Sequence, residues 1–260
     1  MQTIFFDDFT SGELDRSIWN VEVTGQTVNN EQQAYIDSPE TIYLESGERD
    51  TAHGVLVIQP RYRGGYVTQQ GARFDFVSGR IDTREKMEFS QANVAARIAL
   101  PAGAGLWPAC WVMGTVGEWP ASGEIDIMEN VGESDWASVA LHGPGYSGEA
   151  ALANKKFFSA GNDATTWHIY SMEWTPSHDL LFKIDGELIY RVTRPMVAFF
   201  GPWACDNRQY LLLNCALGGT YPFKTNGVRS PYYGLPEETV QSIRNNETKM
   251  LVDWVKVTRV

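Results

Sequence analysis

Short segments in which apolar and polar residues alternate occur along the whole chain, and this period-two pattern is typical of half-buried β-strands. The segments are rich in β-branched and aromatic residues and are separated by glycine, proline, asparagine and aspartate. The predicted strands are TIFFDDF, GVLVIQPRY, SGRIDTREKMEFS, NVAARIALP, ACWVMG, EIDIME, SVALHG, WHIYSMEWT, LLFKIDGELIYRV, QYLLLNCALGG and MLVDWVKVTRV. Asp185 and Gly186 separate two alternating runs and predict a tight hairpin.

Helical periodicity is scarce, and PEETVQSIRNN is the best candidate for a short helix. Many short strands with little helix predict an all-β fold, either a sandwich or a barrel. The first and last strands each have one apolar face, so we expect them to pair or to pack together. No internal repeat, low-complexity tract or linker interrupts the chain, and we interpret residues 1–260 as a single domain.

The composition narrows the class of partner. Hydrophobic residues make up 43% of the 260 residues, which is enough for a sizeable core. The net charge of -11 would repel nucleic-acid phosphates and anionic membranes, so we expect neither partner, whereas a neutral sugar polymer is compatible with it. No apolar run reaches the length of a transmembrane helix, and MQTIFFDDF leads directly into domain-like sequence without the pattern of a signal peptide.

The three cysteines are too few for a disulfide scaffold. Cys205 and Cys215 could close a short loop and leave Cys110 as a buried thiol in WPACW. Free buried cysteine is equally common, so both alternatives stay open.

The segment ASGEIDIMEN places three acids inside one of the most apolar parts of the chain. Because successive side chains of a strand point to opposite faces, Glu124 and Asp126 share a face and the isoleucines beside them pack behind it. Strict alternation would put Met128 beside the two acids and send Glu129 to the core. A one-residue bulge near Met128 would return Glu129 to the acidic face. The alternative is that Glu129 ends the strand and points into solvent.

Two of these acids could act as a catalytic pair. With the bulge, Glu124 and Glu129 are four strand steps apart, about 13 Å at ~3.3 Å per step, and twist and side-chain lean would bring their carboxyls closer. A retaining glycosidase needs roughly 5–5.5 Å between the two carboxyl groups. Like charges in a shared site raise at least one pKa, which keeps one acid protonated while another stays ionised as a nucleophile. A solvated polar strand face and a calcium or magnesium site are the alternatives.

WPASGEIDIMEN resembles the catalytic strand of glycoside hydrolase family 16 in its laminarinase-like branch, the endo-β-1,3-glucanases. Further stretches resemble that branch in the same order along nearly the whole chain: NNEQQAYIDSPETIYLESG, SGRIDTREKMEF, ARIALPAGAGLWPACWVMG, LHGPGYSG, WHIYSMEWT with FKIDGELIY, and YLLLNCALGG. The resemblance implies a jelly-roll β-sandwich of two antiparallel sheets with a concave substrate cleft. It also implies double displacement with retention, in which Glu124 is the nucleophile, Glu129 the acid/base and Asp126 the assisting carboxylate.

The resemblance implies further substrate-binding residues. Trp119 matches a tryptophan on the donor side of the cleft, and His142 matches a histidine on the strand beside the catalytic one. Arg80, Asn29 and Asn214 match polar residues near the donor sugars. Each has a structural alternative, such as pairing of Arg80 with a surface acid, Asp82 or Glu85. We expect four other tryptophans to be core residues, namely Trp107, Trp111, Trp174 and Trp254.

The family needs no cofactor for catalysis, and the resemblance implies a structural calcium on the convex side. The matching positions here are Asp8, the Gly54 carbonyl and Asp253. The alternative for Asp253 is a surface acid between core residues.

Three stretches depart from the family pattern, and the first is QANVAARIALP, which lacks a glycine and two charges of the usual YGRVEARIKLP-like stretch. After ALGG the usual NWPG is replaced by TYPFKTNGVRSPYYGLPEE, which we expect to form a loop at the cleft edge. RPMVAFFGPWACDNRQ is also unusual, and from it Trp203 is predicted to reach the cleft. We expect a secreted, monomeric endo-β-1,3-glucanase that acts on laminarin-like or mixed-linkage β-glucans. A galactan-cleaving relative, of the agarase or carrageenase type, and a non-catalytic glucan-binding protein are the alternatives.

Overall fold

The computed structural model of the protein describes residues 2–26, 28–47, 51, 54–159 and 161–260. Nearly all of its regular structure is β-strand. The strands are β1 Thr3–Asp7, β2 Asn20–Val21, β3 Gln33–Tyr35, β4 Ile42–Ser46, β5 Gly54–Ile58, β6 Arg61–Val67, β7 Arg73–Ser78, β8 Arg80–Asp82, β9 Glu88–Phe89, β10 Ala92–Ala99, β11 Leu106–Gly114, β12 Glu124–Glu129, β13 Trp136–His142, β14 Leu152–Phe157, β15 His168–Trp174, β16 Leu180–Ile184, β17 Glu187–Val192, β18 Gln209–Leu217 and β19 Met250–Arg259. The helices are a 3₁₀ turn at Gly148–Ala150, α1 Arg194–Val197, α2 Thr220–Asn226 and α3 Glu237–Arg244.

Two eight-stranded antiparallel sheets form the sandwich, which confirms the predicted all-β jelly-roll class. The first, which we call the acidic sheet because it contains β12, has the order β14-β13-β12-β11-β18-β8-β2, and β9 pairs with β18. The second, the outer sheet, has the order β17-β16-β15-β10-β19-β5-β4, and β1 pairs with β19. A three-stranded sheet, β3-β7-β6, lies outside both.

Alternation along the strands places the main core between the two sheets. Ile125 and Cys110 from the acidic sheet and Val94, Val255 and Tyr170 from the outer sheet are buried members of one apolar cluster. Burying a large aliphatic side chain contributes about 1.5–3 kcal/mol, so this shared face holds the sheets together. The polar residues of the acidic sheet are left on its opposite face.

The chain termini meet as predicted, because β1 pairs antiparallel with the second half of β19. β5 pairs with the first half of β19, along the same edge of that strand. The end of β1 and the start of β5 therefore approach β19 at the same place, near Asp253. This arrangement brings together the three positions at which calcium was expected.

Most predicted elements are confirmed, with informative exceptions. The hairpin turns at Asp185 and Gly186, which both adopt positive φ, and the predicted helix is α3. The segment expected as one strand over 78–90 is split into β8 and β9. The TYPFKTN stretch, expected as loop, contains α2. All three cysteines are free and buried, so the Cys205–Cys215 disulfide does not form. No helix in the described ranges has the length and apolar character of a membrane span.

Candidate active site

A β-bulge in β12 brings the three acids onto one face. On one side, Asp126 pairs with Ala140 and Glu129 pairs with Ser138, so β12 uses three residues where β13 uses two. The same irregularity occurs against β11. Met128 consequently turns into the core, where it is fully buried. The prediction of a bulge near Met128 is confirmed, and the alternative of a solvent-pointing Glu129 is wrong.

Indole N–H groups contact both glutamates. Trp119 Nε1 donates to Glu124 Oε2 at 2.5 Å, and Trp107 Nε1 donates to Glu129 Oε1 at 2.9 Å. A hydrogen bond from an N–H favours the ionised form of the carboxyl that accepts it. Such donors serve carboxylates well and compete with a cation for the same oxygens, so they argue against calcium or magnesium between the acids.

Asp126 lies between the glutamates and beside His142. The His142 Nε2 atom is 2.9 Å from Asp126 Oδ2. His142 Nδ1 accepts the backbone N–H of Gly148 at 3.1 Å, which assigns the imidazole hydrogen to Nε2 and points it at Asp126. Glu124, Asp126 and His142 have ligand atoms that all lie within 4.8 Å of one another. His142 thus belongs to the acidic cluster, as its matched position implied.

Burial dominates the electrostatics of the cluster. It raises the pKa of Glu124 to about 8 and the pKa of Glu129 to about 6. Burial and the neighbouring Glu129 raise the pKa of Asp126 well above its usual range. Three close carboxyls in a low-dielectric site cannot all be charged, so the cluster retains at least one proton at neutral pH. An acid and a carboxylate therefore coexist in this site.

Strand register extends the site from Glu129 across the acidic sheet. Glu129 pairs with Ala109 on β11, Ala109 pairs with Asn214 on β18, and Asn214 pairs with Arg80 on β8. Directly paired residues point to the same face, so these four positions form one row. Arg80 and Asn214, predicted from separate motifs, are thereby placed on the face of the acids.

A hydrogen-bonded network occupies this side of the site. Trp111 Nε1 donates to Asn214 Oδ1 at 2.8 Å, and Asn214 Nδ2 donates to the Tyr35 hydroxyl at 3.1 Å. The Arg80 guanidinium lies 5.0 Å from the Trp111 ring centroid and pairs with Glu22 at 2.9 Å. Arg80 therefore pairs with an acid that the sequence analysis did not consider.

Glu31 is a further acid on this side that the sequence analysis missed. Burial raises its pKa, while Gln33, Arg80, Tyr35 and Asn29 act in the opposite direction. Asn29, at the predicted position, is exposed and uses its carbonyl to accept the N–H of Thr220 at 2.7 Å. The only signal for Glu31 in the sequence was its place in the NNEQQ stretch.

The tryptophans correct part of the sequence analysis. Trp174 is a core residue, but Trp107 and Trp111 belong to the acidic face, and Trp254 is half-buried outside the main cluster. Alternation along β11 could have placed Trp107 and Trp111 on the acidic face, because Cys110 and Val112 on the same strand face the core. Trp203 packs against Trp174 with ring centroids 5.7 Å apart, so the structure places it on the core and not in the cleft.

Trp119 is 48% exposed, which leaves its ring available to stack on a sugar. The ring also lies 6.3 Å from His142. Trp119 lies beside Glu124 and is open to solvent, and its cleft role stays a prediction.

The expected calcium positions lie together on the outer sheet. Asp253 is buried and accepts Arg97 Nη1 at 2.5 Å. Its other oxygen, Oδ1, is buried without a hydrogen-bond partner among the described residues. Gly54 packs against the Phe9 carbonyl, next to Asp8. An oxygen-rich site with one unpartnered carboxylate oxygen fits a hard cation, although Arg97 already balances part of the charge.

Comparison with known proteins agrees with this geometry. The family model described as Glycosyl hydrolases family 16 matches residues 17–208. The chain is similar to the X-ray structure of endo-beta-1,3-glucanase from Pyrococcus furiosus, with a TM-score of 0.82 and 31% identity over 99% of this chain and 94% of that chain.

Two curated relatives differ in what their names state. Glucan endo-1,3-beta-glucosidase A1 of Niallia circulans is 30% identical over 253 residues, which cover 89% of this chain but only 35% of that protein. The Beta-1,3-glucan-binding protein of Penaeus monodon is 28% identical over 309 residues, covering 96% of this chain and 84% of that protein. The likeness therefore extends to both hydrolysing and binding proteins.

Proposed function

Because the chain belongs to glycosyl hydrolase family 16, we propose that it hydrolyses internal β-1,3-glucosidic bonds of laminarin-like or mixed-linkage β-glucans with retention of anomeric configuration. The observation that carries the proposal is the bulged strand β12, on which Glu124 and Glu129 share a face and each accepts an indole N–H. A protein that only bound glucan would have no need for this arrangement of buried acids, which costs stability. The Niallia and Pyrococcus relatives, named as β-1,3-glucan-cleaving enzymes, support the substrate class.

In the first step Glu124 attacks the anomeric carbon while Glu129 donates its proton to the glycosidic oxygen. The carbon–oxygen bond to the leaving sugar breaks, and a covalent glycosyl ester forms on Glu124. In the second step Glu129, now a carboxylate, removes a proton from water, and the resulting nucleophile releases the sugar from Glu124. Each displacement inverts the anomeric carbon, so the two together retain its configuration.

Asp126 reconciles the pKa values with these roles. Burial gives Glu124 a high pKa, yet the attack requires its carboxylate. Asp126 is more deeply buried and hydrogen-bonds with Glu124. When Asp126 holds the shared proton, it and the Trp119 N–H both donate to Glu124, and the nucleophile carries the charge. Glu129, whose pKa is about 6, donates to the leaving group from the fraction of molecules in which it is protonated.

Neutral sugar hydroxyls are the natural partners of the network around Arg80, Asn214 and Glu31. It offers charged and amide groups that are held in place by Trp111 and Tyr35. We assign donor-side binding to this region and stacking on sugar to the exposed ring of Trp119. The expected 5–5.5 Å separation of the catalytic carboxyls stays a prediction.

Three further properties belong to the proposal. We infer that the protein acts outside the cell, that residues 1–260 form one catalytic domain working as a monomer, and that Asp8, Gly54 and Asp253 hold a calcium ion. Calcium would supply structural stability at the place where β1, β5 and β19 meet. Catalysis would proceed without a cofactor.

Rescue chemistry tests the assignment of the two glutamates. We expect Glu124→Ala to lose activity on an aryl β-laminaribioside and to regain turnover with azide. Azide would enter the space vacated by the carboxylate and give a glycosyl azide of inverted configuration. Glu129→Ala should instead give a retained azide product. Proton NMR of the products distinguishes these outcomes, and reversed results would exchange the roles of Glu124 and Glu129.

A further inference from the structure

Helix α2, in a stretch that departs from the family pattern, stands beside the acid/base residue. Tyr221 packs edge-on against Trp107, with ring centroids 5.5 Å apart and planes at 84°. Its hydroxyl lies 3.5 Å from Ser138 Oγ. Ser138 is the β13 residue that pairs with Glu129. The helix is therefore anchored at the Glu129 end of the acidic face, above β13.

The 3₁₀ turn lies at the other end of β13. The N–H of Gly148 donates to His142 Nδ1, and His142 pairs with Glu124. Glu149, the next residue, is consequently placed at the Glu124 end of the site. Helix α2 and this turn form opposite rims of the groove over β13.

An ion pair joins the two rims. Lys224, one turn beyond Tyr221, lies with its Nζ 2.5 Å from Glu149 Oε1. Ser138 and His142 are four residues apart on β13, a distance of about 13 Å along a strand. An extended lysine and glutamate can cover this distance together. The side chains between Ser138 and His142 on the floor of the groove are small, because Ala140 pairs there with Ala153 of β14.

The side of the groove that the ion pair crosses follows from the proposed function. Arg80 and Asn214, assigned to the donor sugars, lie on β8 and β18, on the β11 side of the catalytic strand. β13 and β14 lie on the opposite side. A glucan that crosses the strands would place its acceptor sugars over β13, beneath Lys224 and Glu149.

We propose that the Lys224–Glu149 pair roofs the acceptor side of the cleft and selects unbranched β-1,3-glucan over chains with side branches on the acceptor sugars. This inference rests on the proposed function. The two side chains are 42% and 78% exposed, so water weakens the pair and it opens readily. An unbranched chain passes under the closed pair, whereas a branched chain requires it to open.

The test compares two β-1,3-gluco-oligosaccharides of equal length, one of which carries a single β-1,6-glucosyl branch on an acceptor sugar. We expect the wild-type protein to have the higher kcat/KM for the unbranched compound. Lys224→Ala should narrow that preference about two- to fivefold, the range of weak exposed ion pairs. The charge-exchanged double variant Lys224→Glu with Glu149→Lys should restore the preference. Added salt should narrow the preference in the wild type and in the double variant, but not in Lys224→Ala.

Lys249→Ala is the matched control, because Lys249 forms a similar exposed pair with Glu45 at 2.7 Å on the outer sheet. It should leave the preference unchanged. For a compound branched on a donor sugar, the kcat/KM preference should likewise not change in Lys224→Ala. If Lys224→Ala leaves the preference unchanged, or changes it equally for acceptor and donor branches, the proposed role of the ion pair is wrong. A wild-type protein that cleaves neither compound would contradict the proposed function instead.

Discussion

Trp107 and Glu129 meet across the pairing of β11 with β12, where the indole Nε1 donates to Glu129 Oε1 at 2.9 Å. Because the N–H occupies Oε1, the carboxyl proton is directed to Oε2. Tyr221 packs edge-on against the indole and holds it in place. The contact therefore orients the carboxyl of Glu129, the proposed acid/base residue, and also lowers its pKa.

Replacing Trp107 by phenylalanine should move one limb of the pH profile. Burial is the main cause of the raised pKa of Glu129, and the Trp107 hydrogen bond opposes it. Loss of that bond should raise the pKa of Glu129 further. Because the active form carries one proton between the two glutamates, the limb near pH 6 follows the more acidic of them, Glu129, and should shift upward. Measurement of kcat/KM on laminarin against pH checks this. A profile that only falls in height would show that Trp107 does not affect the titration of Glu129.

The pH profile of kcat/KM for the wild type should be bell-shaped. Below about pH 6 both glutamates are protonated and no carboxylate can attack; above about pH 8 both are ionised and no proton is available for the leaving group. We expect the maximum of kcat/KM near neutral pH. An optimum near pH 4 to 5 with activity lost by pH 6 would mean that burial does not raise these pKa values.

Glu124→Gln should stabilise the protein at alkaline pH. A carboxyl whose pKa is raised by folding stabilises the native state below its ordinary value of 4.5, and this stabilisation is lost as pH rises toward about 8. The loss is up to about 1.4 kcal/mol per pH unit in that window. The gap in Tm between variant and wild type should therefore widen from pH 5 to pH 9.

Glu247→Gln, at an exposed surface position, is the control for that experiment. Its Tm should follow the wild type at every pH. A gap for Glu124→Gln that is constant across the range would show that Glu124 titrates near its ordinary value.

The site was predictable from the sequence where local rules decide it. The spacing of Glu124, Asp126 and Glu129 has one residue too many for strict alternation, and a bulge at Met128 is the local remedy. Asp185 and Gly186 likewise specify their turn. Trp107 was misassigned because large aromatics are typical of cores, although the alternation along β11 contained the correct answer.

Other features depend on contacts that no local pattern encodes. β14 is an edge strand with few apolar residues, so its pattern is weak. Lys224 and Glu149 belong to separate elements, and their pairing exists only after both rims are built. The Arg80–Glu22 pair depends in the same way on β2 joining β8.

Calcium should stabilise the wild-type protein if Asp253 Oδ1 is one of its ligands. We expect Tm to rise on titration with Ca²⁺ and to fall back with a chelator. Asp253→Asn should remove the calcium-dependent part of Tm, whatever its effect on baseline stability through Arg97. A wild-type Tm that does not respond to Ca²⁺ would mean that the positive charge of Arg97 is the one that this site requires.

The most direct test of the account is reducing-end release by the wild type and Glu124→Gln on laminarin, barley mixed-linkage glucan, agarose and carrageenan. We predict rapid cleavage of laminarin by the wild type and a loss of at least about 10²- to 10⁴-fold in the variant, with its fold and laminarin binding intact. Cleavage of a galactan alone would contradict the substrate class. Binding of laminarin without cleavage by the wild type would contradict the enzymatic role of the acidic strand.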